Sequence, residues 1–276
     1  GPVQGFIATA RKTRDFGIGS FILSSLAGQA MAVILEEGGG LILPAVAKNK
    51  NDIQDPLLQV IWDRRQGKEI KYKNYQSITA TLPNRFRAKV PADFDPELCK
   101  QAIEEKWSQI AEIIWVRYLN KAAALGKSTY EIWQRQVNNF WEINWIIGDN
   151  LDALDLRKNW RNHLPPFEPG DKCTLFGTFQ ELSGYLRIRE KEKQDQFWET
   201  LRQQKQPGVL YDLEKNERLC AIALIKRLFP YIADKIIYKV PTNYPSTPYL
   251  AAINWIANTI KNKPHAARDY AIMASS

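Results

Sequence analysis

Arg11-Lys12-Thr13-Arg14-Asp15 runs directly into Phe16-Gly17-Ile18-Gly19-Ser20. These residue types at this spacing can hold an anion. Two glycines flanking Ile18 let the backbone turn sharply or approach another group closely. Ser20 suits the N-cap of a following helix. Exposed N–H groups and the positive end of that helix would favour a phosphate, with the neighbouring cations adding charge. The same residues also suit a kinked core helix with a solvated basic edge, and Gly-x-Gly by itself is a weak motif.

A second basic set lies in Arg85-Phe86-Arg87-Ala88-Lys89-Val90. A strand over 85–90 would place Arg85, Arg87 and Lys89 on one face and Phe86, Ala88 and Val90 on the other. That face could contact nucleic-acid phosphate, or it could be an ordinary half-solvated strand. No Ser-His-Asp set, phosphate-cradling Gly-x-x-x-x-Gly-Lys loop or metal-binding cluster is evident in the sequence. Asp52, Asp55 and Gly148-Asp149 read as isolated surface acids, and His163 and His265 as structural residues.

These residues must be positioned by a chain of 276 residues, long enough for one large domain or two modest ones. With 45% hydrophobic and 25% charged residues it reads as soluble and globular. Its net charge is +8 and its pI about 9.3, a balance that suits RNA or nucleotide contact and also many proteins that bind neither. Cys99, Cys173 and Cys220 are too dispersed for a disulfide framework. They point to a reducing, cytoplasmic location. No apolar run reaches the ~18 residues of a membrane span, so no membrane partner is expected.

The order of elements reads as follows. Helices are expected over about 3–14 and 21–35, broken between Asp15 and Ser20. Strands are expected at 41–46, 77–82 and 85–90, and a helix at 56–65. A long amphipathic helix spans 96–125. Ser128 and Glu131 resemble a capping box for a further helix, on which Trp141 and Trp145 share a face. Residues 181–202 read as a solvated charged helix, 216–228 as an inward-facing one, and 249–260 as an apolar helix.

Gly1-Pro2-Val3-Gln4, Phe6-Ile7, Ala10 to Asp15, Gly19-Ser20 and Leu23-Ser24 together resemble one family. It is the large (Cas ten) subunit of type III CRISPR effector complexes, in its type III-B branch, at the opening of the first palm domain. Leu82-Pro83-Asn84-Arg85-Phe86, Val90-Pro91, Trp141-Glu142 with Trp145, and Pro245-Ser246-Thr247 extend the resemblance along nearly the whole chain in order. Phe16-Gly17 departs from it, since the family usually has Leu-Trp there.

The resemblance implies an α+β fold. A ferredoxin-like palm fragment at 1–94, lacking the family's first strand, would precede a mostly helical region at 95–276. The latter would contain a degenerate zinc ribbon at about 165–228. Gly1 would then not be the true start, or the missing strand would come from elsewhere. Many relatives carry Cys-x-x-Cys at two places. Here only Cys173 and Cys220 remain, with Phe176 and Ala223 at the second positions, so no metal is expected. Relatives pair two palms around ATP and make cyclic oligoadenylates with two metals held by Gly-Gly-Asp-Asp. That motif and the nuclease His-Asp pair are absent here, so the chain alone is expected to be non-catalytic. ATP and divalent metal would enter only with a second palm.

The implied role is a component of a type III RNA-guided antiviral complex, contacting sibling subunits, guide RNA and target RNA. The alternative is half of a cyclic-oligoadenylate synthase completed by another palm. An unrelated helical RNA-binding protein would leave the ordered matches to chance. Asp15, Gly19, Ser20 and Ser24, with Ser246 and Thr247, are the nucleotide-pocket candidates. Arg11, Lys12, Arg14, Arg85, Arg87 and Lys89 are the RNA-binding candidates.

Overall fold

The expected break between Asp15 and Ser20 does not occur. In the computed structural model, a six-residue helix, α1 (Val3–Ala8), is followed by one continuous helix of 24 residues, α2 (Thr13–Glu36). The structure describes residues 3–70, 79–148, 166–204, 206, 209–241 and 247–275. Three glycines within α2, Gly17, Gly19 and Gly28, each cost about 1 kcal/mol of helix propensity. Burial of Ile18, Phe21, Ile22, Leu26, Met31 and Leu35 offsets that cost. Gly19 is there for close approach: a Cβ on it would lie 3.3 Å from the Ile7 Cα and 2.9 Å from the Lys226 Cε. By length and composition α2 could cross a membrane, but 94% of its apolar window is buried inside the protein. The shorter expected run, Phe21 to Leu35, underestimated it because the break was misplaced.

The chain actually breaks at Thr9 to Lys12, and a distant side chain makes this possible. The last carbonyls of a helix lack partners within it. Lys226 Nζ donates to Phe6 O at 2.5 Å, Ile7 O at 3.0 Å and Thr9 O at 2.8 Å, which closes off α1.

After α2 comes a short strand, β1 (Gly40–Leu43), then α3 (Pro56–Arg65). Asp55 caps α3 by accepting from Leu58 N at 2.8 Å, and Pro56 sits at its first turn, where a missing N–H costs nothing. The second strand, β2 (Arg87–Lys89), pairs antiparallel with β1, Gly40 opposite Lys89 and Leu41 opposite Ala88. Both strands are shorter than expected. The register shifts between Leu41 and Leu43, and Pro44, which has no N–H to donate, follows at once. The strand expected at 77–82 is not formed over 79–82, and its first two residues lie outside the described set. The described residues thus form a mixed α+β chain, mostly helical, with one two-stranded sheet.

Beyond the expected 94/95 junction, α4 (Glu97–Ile114) runs through a π-helical turn at Trp115–Leu119 into α5 (Asn120–Ala123). It packs along α2, and buried residues on both sides of the junction form one continuous core. Next is α6 (Thr129–Asn138). Ser128 precedes it with φ 56°, a left-handed conformation in which its side chain makes no capping bond, so the capping box is absent. Thr129 Oγ1 donates to Leu182 O instead, at 2.8 Å.

Helix α6 ends before the tryptophans expected to share its face. Phe140 and Trp141 leave the helix to join Phe6 and Trp107, with ring centroids 4.6–6.2 Å apart. Such pairs contribute about 0.5–1.5 kcal/mol each beyond burial, which is enough to outweigh a further turn of helix. Trp145 stays exposed, donating to Glu97 Oε1 at 3.3 Å.

The charged helix α7 (Arg187–Arg202) is not wholly solvated: Gln194, Phe197, Trp198 and Leu201 form a buried stripe at helical spacing. Trp198 Nε1 donates to the buried Glu181 Oε2 at 2.7 Å. Glu181 also accepts from Ser183 N and Gly184 N, both at 3.0 Å, which fixes a tight turn. Gly184 takes φ +74°, and a Cβ there would collide with Lys127 O. Gly184→Ala should therefore cost at least about 2 kcal/mol, read from the midpoint of urea unfolding. A midpoint equal to wild type would show that this turn is not rigid.

The short α8 (Val209–Asp212) leads to α9 (Ala221–Leu228), in which all eight residues are buried. A helix apolar all round belongs at a centre, yet this one holds Lys226 and Arg227. Then α10 (Ala233–Ile236) completes the core. Finally α11 (Thr247–Asn262) and α12 (Pro264–Ser275) pack chiefly on each other. They leave Tyr249, Ile253, Trp255, Ile260, Tyr270 and Met273 exposed.

Candidate functional site

The cationic entrance, Arg11 to Arg14, is brought together as a cluster, but with acids that the sequence reading did not place there. Arg14 is buried, with Nη2 2.8 Å from Asp212 Oδ1 and Nη1 donating to Tyr231 Oη at 3.2 Å. Lys12 Nζ lies 3.1 Å from the same Asp212 oxygen. Arg11 reaches Glu214 at 3.0 Å and Glu217 at 3.2 Å. Tyr231 Oη donates to Asp212 Oδ2.

Burial pushes the Asp212 carboxyl up. The bonds from Arg14 and Tyr231 and the Arg14 charge outweigh it, so its pKa falls below the ordinary value. Burial and the adjoining Asp212 push the Tyr231 hydroxyl up to about 12. The charges of all three entrance cations are therefore met inside the protein.

Asp15 faces inward. Arg227 Nη2 lies 3.1 Å from its Oδ2, and the same guanidinium holds Glu217 at 3.0 and 3.1 Å and donates to Asp212 O. Ser24 is buried and donates to Leu82 O at 2.5 Å. Ser20 lies mid-helix, its Oγ 3.5 Å from Phe16 O, so it cannot be the expected N-cap. Gly17 and Gly19 are helical, so no anion-cradling turn exists between them. Ser246 lies outside the described residues, and Thr247 begins α11. The side chain of Thr247 also lies outside the described residues, so this weaker second group of pocket candidates has no described position relative to Asp15, Gly19, Ser20 and Ser24. Of the second basic set, Arg87 and Lys89 lie on β2, and Arg85 precedes it. Arg85 and Arg87 are half-buried, Lys89 is exposed.

Lys226 gives a pH-dependent readout of this region. Burial lowers its pKa from 10.5 to about 8, with Asp15 opposing and Arg227 adding to the fall. The unfolded chain holds that proton to higher pH than the folded one. Stability should therefore rise with pH between about 8 and 10.5, and the penalty is fully present below that window. Lys226→Met should flatten this limb in a series of chemical unfolding curves. An identical slope in the variant would mean that Lys226 does not titrate there.

Cys173 and Cys220 meet in the interior as free thiols. Phe176 N donates to Cys173 Sγ at 3.4 Å, and Ala223 N to Cys220 Sγ at 3.5 Å. The hydrogen bond from Cys220 lowers the Cys173 thiol, against burial, while burial raises Cys220. A structural zinc takes four protein ligands. Two sulfurs do not meet that need, and among the described residues no group of three or more His, Cys, Asp or Glu could hold a metal ion. His163 lies outside the described residues.

The sequence reading missed Asp212, Glu217 and Arg227. One signal was available: Lys226-Arg227 inside the apolar run Ala221 to Phe229 requires buried counter-charges.

Residues 1–112 match the family model for CRISPR-associated protein Cmr2, N-terminal. A chain of a cryo-EM structure of type III-B Cmr-beta in the apo state has a similar fold, with a TM-score of 0.50 at 15% identity. The similarity covers 97% of this chain and 36% of that one. No curated protein matches. The resemblance read from the sequence is thus found independently over the first 112 residues, and at the level of fold over nearly all of the chain.

Proposed function

We propose that this chain, a segment resembling the type III-B large subunit, works as a component of a type III CRISPR RNA-guided complex, bound to sibling subunits and guide RNA. The single observation carrying this reading is the match of residues 1–112 to the Cmr2 N-terminal family. The exposed apolar side chains of α11 and α12 support it, because patches of that kind mark protein–protein contacts. In this reading residues 1–94 form the palm-like part, β1 and β2 belong to its sheet, and the complex is cytoplasmic.

In this reading the chain serves as a binding component. The described residues offer no group of three acids that could hold a divalent metal, so no catalytic step is assigned to them. The second reading, half of a cyclic-oligoadenylate synthase, would need the metal-binding acids of another palm.

Co-expression of the tagged chain with a complete set of type III-B subunits and a CRISPR array tests the proposal. Affinity purification should recover sibling subunits and a guide RNA of uniform 5′ end. Recovery of the chain alone, with no bound RNA, would overturn it. ATP turnover that needs an added second palm would favour the synthase reading.

A further inference from the structure

A cleft of about 420 Å³ opens between α3, α4 and α10. That volume falls in the range of small-molecule sites, about 300–1,000 Å³. Its walls include Ile61 and Ile237, and its cations are Arg64, Arg65, Lys106 and Lys235.

The charge balance differs from that of the entrance cluster. Arg64 donates from Nε to Ile237 O and from Nη2 to Asp234 O, both at 2.5 Å, and these are neutral acceptors. Lys106 Nζ meets the neutral Gln109 Oε1 at 2.8 Å. Lys235 stands exposed at the rim. Arg65 is the exception, held fork to fork by Glu36 at 2.9 and 2.5 Å. Glu105 is the single acid among the lining residues. Burial, then the charges of Arg65 and Arg64, lower the Lys106 pKa, with Glu105 opposing. The Lys106 ammonium thus stands in a positive field that an anion would relieve.

We propose that this cleft is a phosphate-binding site, with Arg64 and Lys106 inside it and Lys235 at its rim. No aromatic side chain lines it, so it has no platform for stacking a base. The cleft reads phosphate and not sequence. The phosphate comes from an RNA backbone or from a free nucleotide. The assignment deepens the assembly reading, and rests on it only for the source of the phosphate.

Binding of three probes to the full 276-residue chain at low salt tests it: inorganic triphosphate, ATP, and a short single-stranded RNA with a 5′-hydroxyl. Lys106→Gln and Lys235→Glu should each weaken binding about threefold, and K106E/K235E by about tenfold or more, with a shallower salt slope. Lys191→Glu, on the exposed side of α7, should change nothing. Lys235 is exposed, so K235E keeps the fold if the double variant does not. Sensitivity confined to the RNA arm identifies the backbone as the source. Sensitivity shared with triphosphate and ATP identifies a general phosphate site.

Affinities unchanged in K106Q and K235E, equal losses in K191E, or no binding of any probe would overturn the assignment. If RNA binds and the cleft variants are indifferent, the cleft is wrong and the assembly reading stands. If triphosphate binding is variant-sensitive while no sibling subunit is recovered, the cleft stands and the assembly reading fails.

Discussion

Arg227→Met is expected to destabilise the chain by about 3–5 kcal/mol, because removing one partner of a buried ion network strands the others. Arg227 is 1% exposed and holds two carboxylates, Asp15 at 3.1 Å and Glu217 at 3.0 Å. Methionine keeps much of the side-chain volume, so the loss is electrostatic and not a cavity effect. The triple variant R227M/D15N/E217Q should regain most of the stability, since it removes the two carboxylates that the single variant leaves without their guanidinium. Denaturant midpoints for the single and triple variants decide the matter. A single-variant loss below about 1 kcal/mol would mean that water reaches the network and screens it.

Phe6→Ala should also cost about 3–5 kcal/mol, the usual range for deleting a buried aromatic ring. Phe6 is fully buried although it belongs to a helix of only six residues. A helix that short has no stability of its own, so its docking depends on the ring. The ring lies 5.5 Å from Phe140 and 5.1 Å from Trp141, with Lys226 Nζ 5.2 Å from its centroid. Its loss should release α1 and uncover the lysine together. Hydrogen exchange should show the amides of α1 opening well before the remainder of the core in F6A. Uniform protection along the chain would contradict this coupling.

Helix α3 matches its expected span, 56–65, because local signals mark both ends: Asp55 and Pro56 at the start, Gly67 just after the stop. The long run from Pro96 is likewise local in origin. The continuity of α2 was not legible, because two glycines argue locally for a turn while the decisive term is burial against distant residues. The fate of Phe140 and Trp141 was hidden in the same way. Their partners Phe6 and Trp107 lie far off in sequence, and only the fold supplies them.

The entrance cations were recognised as a group, but their neutralisation was not. Lys12 and Asp212 are 200 positions apart, and no spacing rule connects them. The cleft around Lys106 escaped notice for a related reason. It draws Arg64 and Arg65 from α3 and one cation each from α4 and α10, elements far apart in the sequence.

A cryo-EM map of the assembly purified through this chain tests the central claim most directly. The account predicts the chain seated beside other type III subunits, with guide RNA in the same particle. A purified chain that stays monomeric in the presence of those subunits, and carries no RNA, would contradict it.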